Sequence, residues 1–299
     1  MKEKLLITGS TGLVGSYLLK TDLHNYDIFT LAHRDSTSSG IGSFVVDLSA
    51  SLDTFEHIIS KEKPDTIVHL AALSDVDACE IQRDSADIIN HLSVRKLAEY
   101  IRENPDCFVL YVSTDYVFDG EKGNYREQDH PSPINWYGKT KLLGELELIS
   151  NPRVENWCIA RTSTVFGVHN RKQNLPLYVI EALRNKQKIK VSIDQITSPT
   201  YVANLAKMLH EIIERRIGGI IHTCGKSQIS RFEQAIKVAN AFKLDSTLIQ
   251  QVSMKDMNWK AQRPRNSSLS VEKANSVLNI KPMSFDEGLS QLFKNLNSN

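Results

Sequence analysis

Nowhere does the chain string together the ~20 apolar residues that a bilayer-spanning helix requires, and neither sign of charge predominates. Lysine and arginine number 36 against 35 aspartates and glutamates, a formal net charge of +1. That balance removes the electrostatic basis for gripping nucleic acid or an anionic membrane surface. Cysteine is scarce: Cys79, Cys107, Cys158 and Cys224 are scattered, with no CxxC pair and no zinc-ligand spacing. Cys107 and Cys158 open apolar runs, where a free thiol behaves as a small hydrophobe; this fits a reducing cytoplasm rather than a disulfide scaffold. The nine histidines contain no HxH or HExxH arrangement, so no metal site is expected. Repeats and low-complexity segments are lacking too. Met1-Lys2-Glu3-Lys4 runs straight into a short apolar stretch rather than a signal peptide, so a cytoplasmic location is expected.

What remains is an ordinary globular composition, 299 residues with 41% hydrophobic and 24% charged, room for one large domain with a smaller lobe. Lys4 to Thr8 reads as a buried strand. Gly9-Ser10-Thr11-Gly12-Leu13-Val14-Gly15 follows at once, and an amphipathic stretch from Leu13 to Leu23 reads as a helix. Strand, glycine turn, helix is the arrangement that lets backbone approach a pyrophosphate. The spacing is GxxGxxG, and plain turns also use glycine, so its position between strand and helix carries the argument.

Further strands are expected at 28–32, 44–48, 66–70, 108–112 and 157–160, separated by helices, with a late strand at 219–223. That alternation argues for a doubly wound parallel sheet, whose ligands sit beyond the C-terminal strand ends. Gly9, Asp47, Ala71 and Thr114 all fall at such ends, and Ala71-Ala72 offer small side chains next to Leu70 where a cofactor could pass. After the second strand the chain reads His33-Arg34-Asp35. Arg34 suits the 2′-phosphate of NADP, whereas Asp35 stands near the place of an acid that holds the NAD ribose; the arginine tips the expectation toward NADP. The stretch from Asp75 to Glu103 reads as long and helical, in two segments, and Asp75, Asp77 and Glu80 read as favourable charge at its start. Glu121 to Pro133 reads as a polar loop lying over the site, Asp194 to Thr200 as a second polar loop, and the part beyond Ser230 as an α-rich lobe.

Tyr137 and Lys141 in Tyr137-Gly138-Lys139-Thr140-Lys141 stand one helical turn apart on one face, below a cap supplied by Asn135. An ammonium beside a phenol favours the phenolate and is expected to lower the tyrosine pKa, making a proton donor or acceptor for a carbonyl/alcohol pair.

The strings Ser113-Thr114-Asp115-Tyr116-Val117-Phe118-Asp119-Gly120, Tyr137-x-x-x-Lys141, Arg161-Thr162-Ser163 and Arg263-Pro264, with the glycine turn, resemble the extended short-chain dehydrogenase/reductase superfamily. Within it they most resemble the dTDP-4-dehydrorhamnose reductase family, over nearly the whole chain. The resemblance implies a Rossmann-type domain, residues 1–163 and 192–223, and a substrate lobe, residues 164–191 and 224–299. It implies reduction by NAD(P)H, NADP favoured, of a nucleotide-linked 4-keto-6-deoxy sugar. Thr114 would hydrogen-bond the keto oxygen, Tyr137 protonate it, and Lys141 hold the nicotinamide ribose. Thr11, Gly12, Leu13 and Val14 would cradle the pyrophosphate, Arg34 the 2′-phosphate, and Asp47-Leu48 the adenine. Asp115 and Tyr116 would line the sugar pocket with Thr164, which stands where many members carry Trp.

Asp119-Gly120 through Asp129, and Ala261-Gln262-Arg263-Pro264-Arg265-Asn266, are also similar to the regulatory beta subunits of methionine adenosyltransferase, which keep the fold and bind NADP as interaction partners. That leaves a non-catalytic reading open, as it does an NAD-dependent epimerase; dehydratases put Asp-Glu after the Thr, and Asp115-Tyr116 disfavours them. A homodimer is left open as the assembly.

Overall fold

The computed structural model describes residues 2–33, 42–150, 156–170 and 173–297. Arg34 and Asp35, on which the NADP expectation turned, lie outside the described residues. The strands are β1 Glu3–Thr8, β2 Tyr26–Ala32, β3 Gly42–Val45, β4 Thr66–His69, β5 Phe108–Thr114, β6 Trp157–Thr162, β7 Val165–Phe166, β8 Ile189–Ser192, β9 Ile196–Thr197, β10 Thr200–Tyr201, β11 Gly219–His222, β12 Ile229–Ser230 and β13 Ile249–Val252. The α-helices are α1 Leu13–Leu18, α2 Leu52–Glu62, α3 Val76–Ile81, α4 Arg83–Asp87, α5 Ser93–Glu103, α6 Trp136–Ile149, α7 Leu175–Arg184, α8 Val202–Glu214, α9 Arg231–Ala241, α10 Glu272–Val277 and α11 Phe285–Asn297.

Seven of the described strands form one sheet in the order β11-β6-β5-β4-β1-β2-β3, every neighbouring pair parallel. This is the Rossmann-type doubly wound sheet. Because side chains alternate across a strand, Leu6, Ile67 and Val109 point to one face and Leu5, Ile7, Val68 and Leu110 to the other. The first set packs with Phe55 and Ile59 of α2 and Leu97 and Ile101 of α5. The second packs with Leu18 of α1 and Leu205, Leu209 and Ile212 of α8. A strand buried on both faces must be apolar throughout, which is why the strand runs stood out in the sequence.

A third cluster, Phe166, Val179, Ile180, Val191, Val238, Phe285 and Leu289 among its members, is the lobe's own core, built by α7, α9 and α11 around the β8–β13 pair. The chain moves between the two cores repeatedly. Residues of α8 pack behind the sheet while Tyr201 just before it packs in the lobe, and Ala274 and Leu278 return the chain to the sheet before α11 rejoins the lobe core.

Four local expectations change. The first helix is short, ending at Leu18 with Leu19 as its C-cap. The stretch Asp75–Glu103 breaks into α3, α4, a π-helical turn at Ile88–Leu92, and α5. The loop 121–133 does not cover the site: Tyr125 stacks on Phe118 with ring centroids 4.2 Å apart, anchoring the loop to Leu269. The polar stretch at 194–200 holds two short strands, β9 and part of β10, which pair with β12 and β7.

Candidate active site

At the C-terminal edge of β1 the glycine turn presses on the chain leaving β4. Gly9 has φ +67°, and a Cβ there would stand 2.7 Å from the Ala71 nitrogen, so only glycine fits. The Thr8 hydroxyl accepts hydrogen bonds from the Leu70 and Ala71 N–H groups, both at 3.2 Å, and pairs with His69 Nδ1 at 3.0 Å. His69 Nε2 pairs with Ser93 at 3.1 Å, while the Ser93 hydroxyl donates to the Ile89 carbonyl. That chain of donors assigns the proton to Nε2. Burial, with the Lys141 charge behind it, pushes the His69 pKa down to about 3, so the ring is neutral. Gly12 caps α1 without a side-chain bond, its own N–H donating to the Gly9 carbonyl at 3.0 Å, and the turn from Thr11 to Val14 lines the cavity. Asp47 accepts from the Ser49 N–H and hydroxyl through Oδ1, chiefly the hydroxyl holding its carboxyl below the usual range.

The second half of the site hangs on β5 and α6. Asn135 caps α6, its Oδ1 accepting from Gly138 N at 2.8 Å, and its Nδ2 donates to the Gln262 carbonyl at 2.9 Å. A Cβ on Gly138 would sit 2.0 Å from the Tyr116 carbonyl oxygen, so glycine is what lets α6 close on the end of β5. Tyr116 then meets Tyr137 edge-on at 5.9 Å. Thr114 is buried; its hydroxyl donates to Asp115 Oδ1 at 3.2 Å and accepts from Tyr116 N. Asp115 Oδ2 accepts from Ser163 at 2.8 Å and Ser267 at 2.5 Å. Burial raises the Asp115 pKa to about 6 against the pull of these hydroxyls.

The expected electrostatics of the Tyr137–Lys141 pair are reversed. Burial raises the Tyr137 pKa above its ordinary 10, and a hydrogen bond with Thr114 only partly offsets it. Lys141 Nζ donates to the Val112 carbonyl at 2.7 Å and lies 4.0 Å from the Tyr111 ring centroid. Burial pulls its pKa down to about 7. A desolvated ammonium satisfied by a carbonyl exerts less pull on the phenol than helical spacing implied.

Behind α6 a fully buried ion pair holds the frame. Arg161 Nη2 donates to Glu145 Oε2 at 2.6 Å, Arg161 Nε adds a bond at 3.0 Å to Oε1, and Ser113 donates to Oε1 at 2.5 Å. This locks α6 to β5 and β6, which carry Thr114 and Thr162 at the cavity.

Gly9, Thr11, Gly12, Leu13, Val14, Asp47, Leu48, Leu70, Ala71, Ala72, Thr114, Asp115, Tyr116, Tyr137, Lys141 and Thr164 all line one cavity of about 610 Å³ between the sheet edge and the lobe. Of the site residues expected from sequence, only Arg34 is not placed there, being outside the described residues. Thr164 holds φ +36°, a strained region for a β-branched residue, and bonds Thr197 at 3.1 Å.

The acidic trio does more than decorate a helix start. Asp75 caps α3, but Asp77 accepts from Lys260 N and Ala261 N and pairs with Arg263 at 3.0 Å, and Glu80 accepts from Trp136 N at 2.7 Å. Sequence reading missed Asn90, whose amide joins Leu73 to Thr140 from the π-helical turn, and Arg231 and Gln234, which enter the cavity from α9. A break in the helical period at 88–92 could have flagged Asn90. No local signal marks Arg231, since its distance in sequence from Tyr137 hides their shared cavity.

A family profile described as the RmlD substrate binding domain matches residues 3–298. The chain is 32% identical over 305 residues to a dTDP-4-dehydrorhamnose reductase of Aggregatibacter actinomycetemcomitans, covering 97% of this chain and 98% of that one. It is 30% identical over 284 residues to methionine adenosyltransferase 2 subunit beta of Pongo abelii, covering 92% and 82%. The crystal structure of a dTDP-4-dehydrorhamnose reductase from Bacillus anthracis in complex with NADP superposes with a TM-score of 0.87 at 29% identity, over 99% of this chain and all of that one.

Proposed function

The chain belongs to the RmlD substrate binding domain family, and from that premise we propose that it is an NAD(P)H-dependent reductase of a nucleotide-linked 4-keto-6-deoxy sugar, of the dTDP-4-dehydrorhamnose reductase type. The observation that carries this reading is the meeting of Thr114, Tyr137 and Lys141 in the same cavity as the glycine turn. The residues fit a dinucleotide: Gly9 leaves no room for a side chain against Ala71, and the cradle at Thr11 to Val14 is open to the cavity. On this reading NADP is favoured over NAD; one structural relative was solved in complex with NADP.

The bound nicotinamide would supply the hydride. Thr114 and Tyr137 line the same cavity, and on this reading their hydroxyls hold the keto oxygen as negative charge develops on it, Thr114 turning its proton there from Asp115. Tyr137 then delivers its proton to that oxygen. The raised Tyr137 pKa keeps the phenol protonated before the reaction, as a general acid requires. Lys141, close to neutrality at about 7, stands one turn below to stabilise the phenolate left behind. Asp115, Tyr116 and Thr164 line the sugar end. The test is oxidation of NADPH with dTDP-4-keto-6-deoxy-L-mannose as substrate; net, stoichiometric oxidation also separates a reductase from an epimerase, which recycles its cofactor.

A second reading has a specific observation behind it: likeness at the same level to a regulatory beta subunit. On that reading the cavity binds NADP and turns nothing over, and the chain purifies from native extract with a stoichiometric enzyme partner. NADPH consumption by a pure homo-oligomer excludes it.

A further inference from the structure

Arg231 is the first residue of α9, and its place there is fixed from several sides. Ser230 and Glu233 form a reciprocal capping box, the Arg231 N–H donates to the Gln195 carbonyl at 2.9 Å, and Phe232 packs against the lobe core. The side chain lines the cavity from the lobe, facing the wall that carries Asp115, Tyr116 and Tyr137. Burial lowers its pKa from the ordinary arginine value, while the field of Tyr116 and Asp115 opposes that fall and Arg263 adds to it.

Those neighbours do not use its donors. The nearby carboxylate is spoken for: Asp115 takes hydroxyls from Thr114, Ser163 and Ser267. The Tyr116 hydroxyl accepts from Gln195 Nε2 at 3.1 Å. Arg263, the neighbouring cation, is engaged by Asp77 and the Ala261 carbonyl. Among the described residues no carboxylate or carbonyl is hydrogen-bonded to the Arg231 guanidinium, although a guanidinium carries five donors in a rigid fork. Holding that fork in a shielded pocket without acceptors costs desolvation free energy, which an oxyanion with two coplanar oxygens recovers through short charge-assisted bonds.

The cradle proposed for the cofactor's pyrophosphate, Thr11 to Val14, belongs to the turn after β1, whereas the charged and polar neighbours of Arg231 are Tyr116, Asp115 and Arg263. An anion met by Arg231 therefore belongs to the second ligand in the cavity. We propose that Arg231 is a substrate-binding residue that takes an oxyanion of the diphosphate joining the sugar to its nucleotide, and so sets the chain's preference for a nucleoside-diphosphate substrate. This rests on the nucleotide-sugar reading above and names the charged group through which that substrate is held.

The experiment is calorimetric titration of the full chain, with saturating NADP⁺ present, comparing wild type, Arg231→Gln and Arg231→Lys. The probes are dTDP, UDP and GDP, with thymidine as the uncharged control and UDP-glucuronate as a carboxylate-bearing one. The expected result is that the best-bound diphosphate loses roughly 10- to 100-fold in affinity with Arg231→Gln, the loss of a charge-assisted bond pair. Arg231→Lys recovers part of it, thymidine binding is unchanged, and NADP⁺ affinity measured separately is unchanged. Equal diphosphate affinity in wild type and Arg231→Gln overturns the proposal while leaving the reductase reading standing. A parallel fall in NADP⁺ affinity overturns it by giving the arginine to the cofactor. If UDP-glucuronate senses the substitution and UDP does not, the anion is a sugar carboxylate and the diphosphate assignment is wrong. Arginine-dependent diphosphate binding without any keto-sugar reduction keeps the binding site and removes the reaction; no diphosphate binding to wild type removes both.

Discussion

The two walls of the cavity are built differently. On the sheet-edge wall the strand ends and α6 are held by groups that themselves have partners, the Ser10 and Thr162 hydroxyls excepted. Thr8 is fixed by His69, His69 by Ser93, and the α6 frame by Glu145, Arg161 and Ser113. The lobe wall is looser: the Arg231 fork lines the cavity without a hydrogen-bond partner among the described residues, and Thr164 is in a strained conformation, held by its hydroxyl on Thr197 and by the Thr200 N–H on its carbonyl. A network satisfied throughout is rigid and suits a cofactor that is always the same. A wall with spare donors suits a ligand that must be distinguished from others, because unmet donors penalise the wrong ligand.

The largest expected effect tests what the fixed wall is for. Tyr137→Phe keeps the ring against Tyr116 and removes only the hydroxyl, so turnover of the keto sugar should fall roughly 10²–10⁴-fold, the loss of a general acid. NADP⁺ binding should persist in the same variant. Near-full turnover would mean that the proton comes from elsewhere and that this wall only binds.

Next in size is the brace behind it. Glu145→Ala leaves the Arg161 guanidinium buried at 1% exposure without its carboxylate, and stability to urea should fall by about 3–5 kcal/mol. Breaking one partner exposes the desolvation penalty the other has been spared. A loss below about 1 kcal/mol would show that the wall's rigidity comes from packing alone.

Acid sharpens the same contrast through two histidines. Burial holds both His69, behind the sheet-edge wall, and His222, at the end of β11, down at about 3. The folded-state value lies below the unfolded one, near 6.5, so the unfolded chain takes up protons first. Their contribution to stability is complete above about pH 6.5 and is lost as pH falls toward 3. Asp115 acts with the opposite sign: raised to about 6, it weakens the fold as pH rises from about 4 to 6. Urea midpoints across pH 3–7 should therefore fall toward acid overall, and Asp115→Asn should steepen that fall by removing the opposing group. A wild-type profile flat from pH 7 to 3 would contradict the neutral, buried assignment of the histidines.

What could be read from the sequence divides along the same line. The sheet-edge wall is made of contiguous strings, because a strand end and the turn after it deliver neighbouring residues to one place. Hence Gly9 to Val14, Leu70 to Ala72 and Thr114 to Tyr116 were legible. Where the sequence misled, a tertiary neighbour intervened: Lys141 was expected to act on Tyr137, but the Val112 carbonyl takes its proton donor and burial dominates both groups. Asp77 and Glu80 were read as helix-start charge because Ala261 and Trp136, their partners, are remote in the chain. The lobe wall was illegible for a related reason. Arg231 and Gln234 follow an ordinary amphipathic pattern, and only the packing of α9 beside β9 and β12 turns one face of that helix toward the cavity.

The smallest effect concerns the tether between the walls. Asn135 does two things at once: Oδ1 caps α6 and Nδ2 holds the Gln262 carbonyl of the lobe segment. Asn135→Asp keeps the cap, since a carboxylate accepts from Gly138 N as well as an amide does, but it cannot donate to Gln262. Asn135→Ala loses both. If the tether is only a local cap, the aspartate variant should match wild type and the alanine variant should lose about 1 kcal/mol of stability. If the bond to Gln262 positions the lobe strap over the start of α6, both variants should raise the KM for the sugar nucleotide several-fold, with the KM for NADPH unmoved. The second outcome is expected, because the same strap is held by Asp77 through Lys260 N, Ala261 N and Arg263, and so sits at the seam where the fixed wall meets the adaptable one.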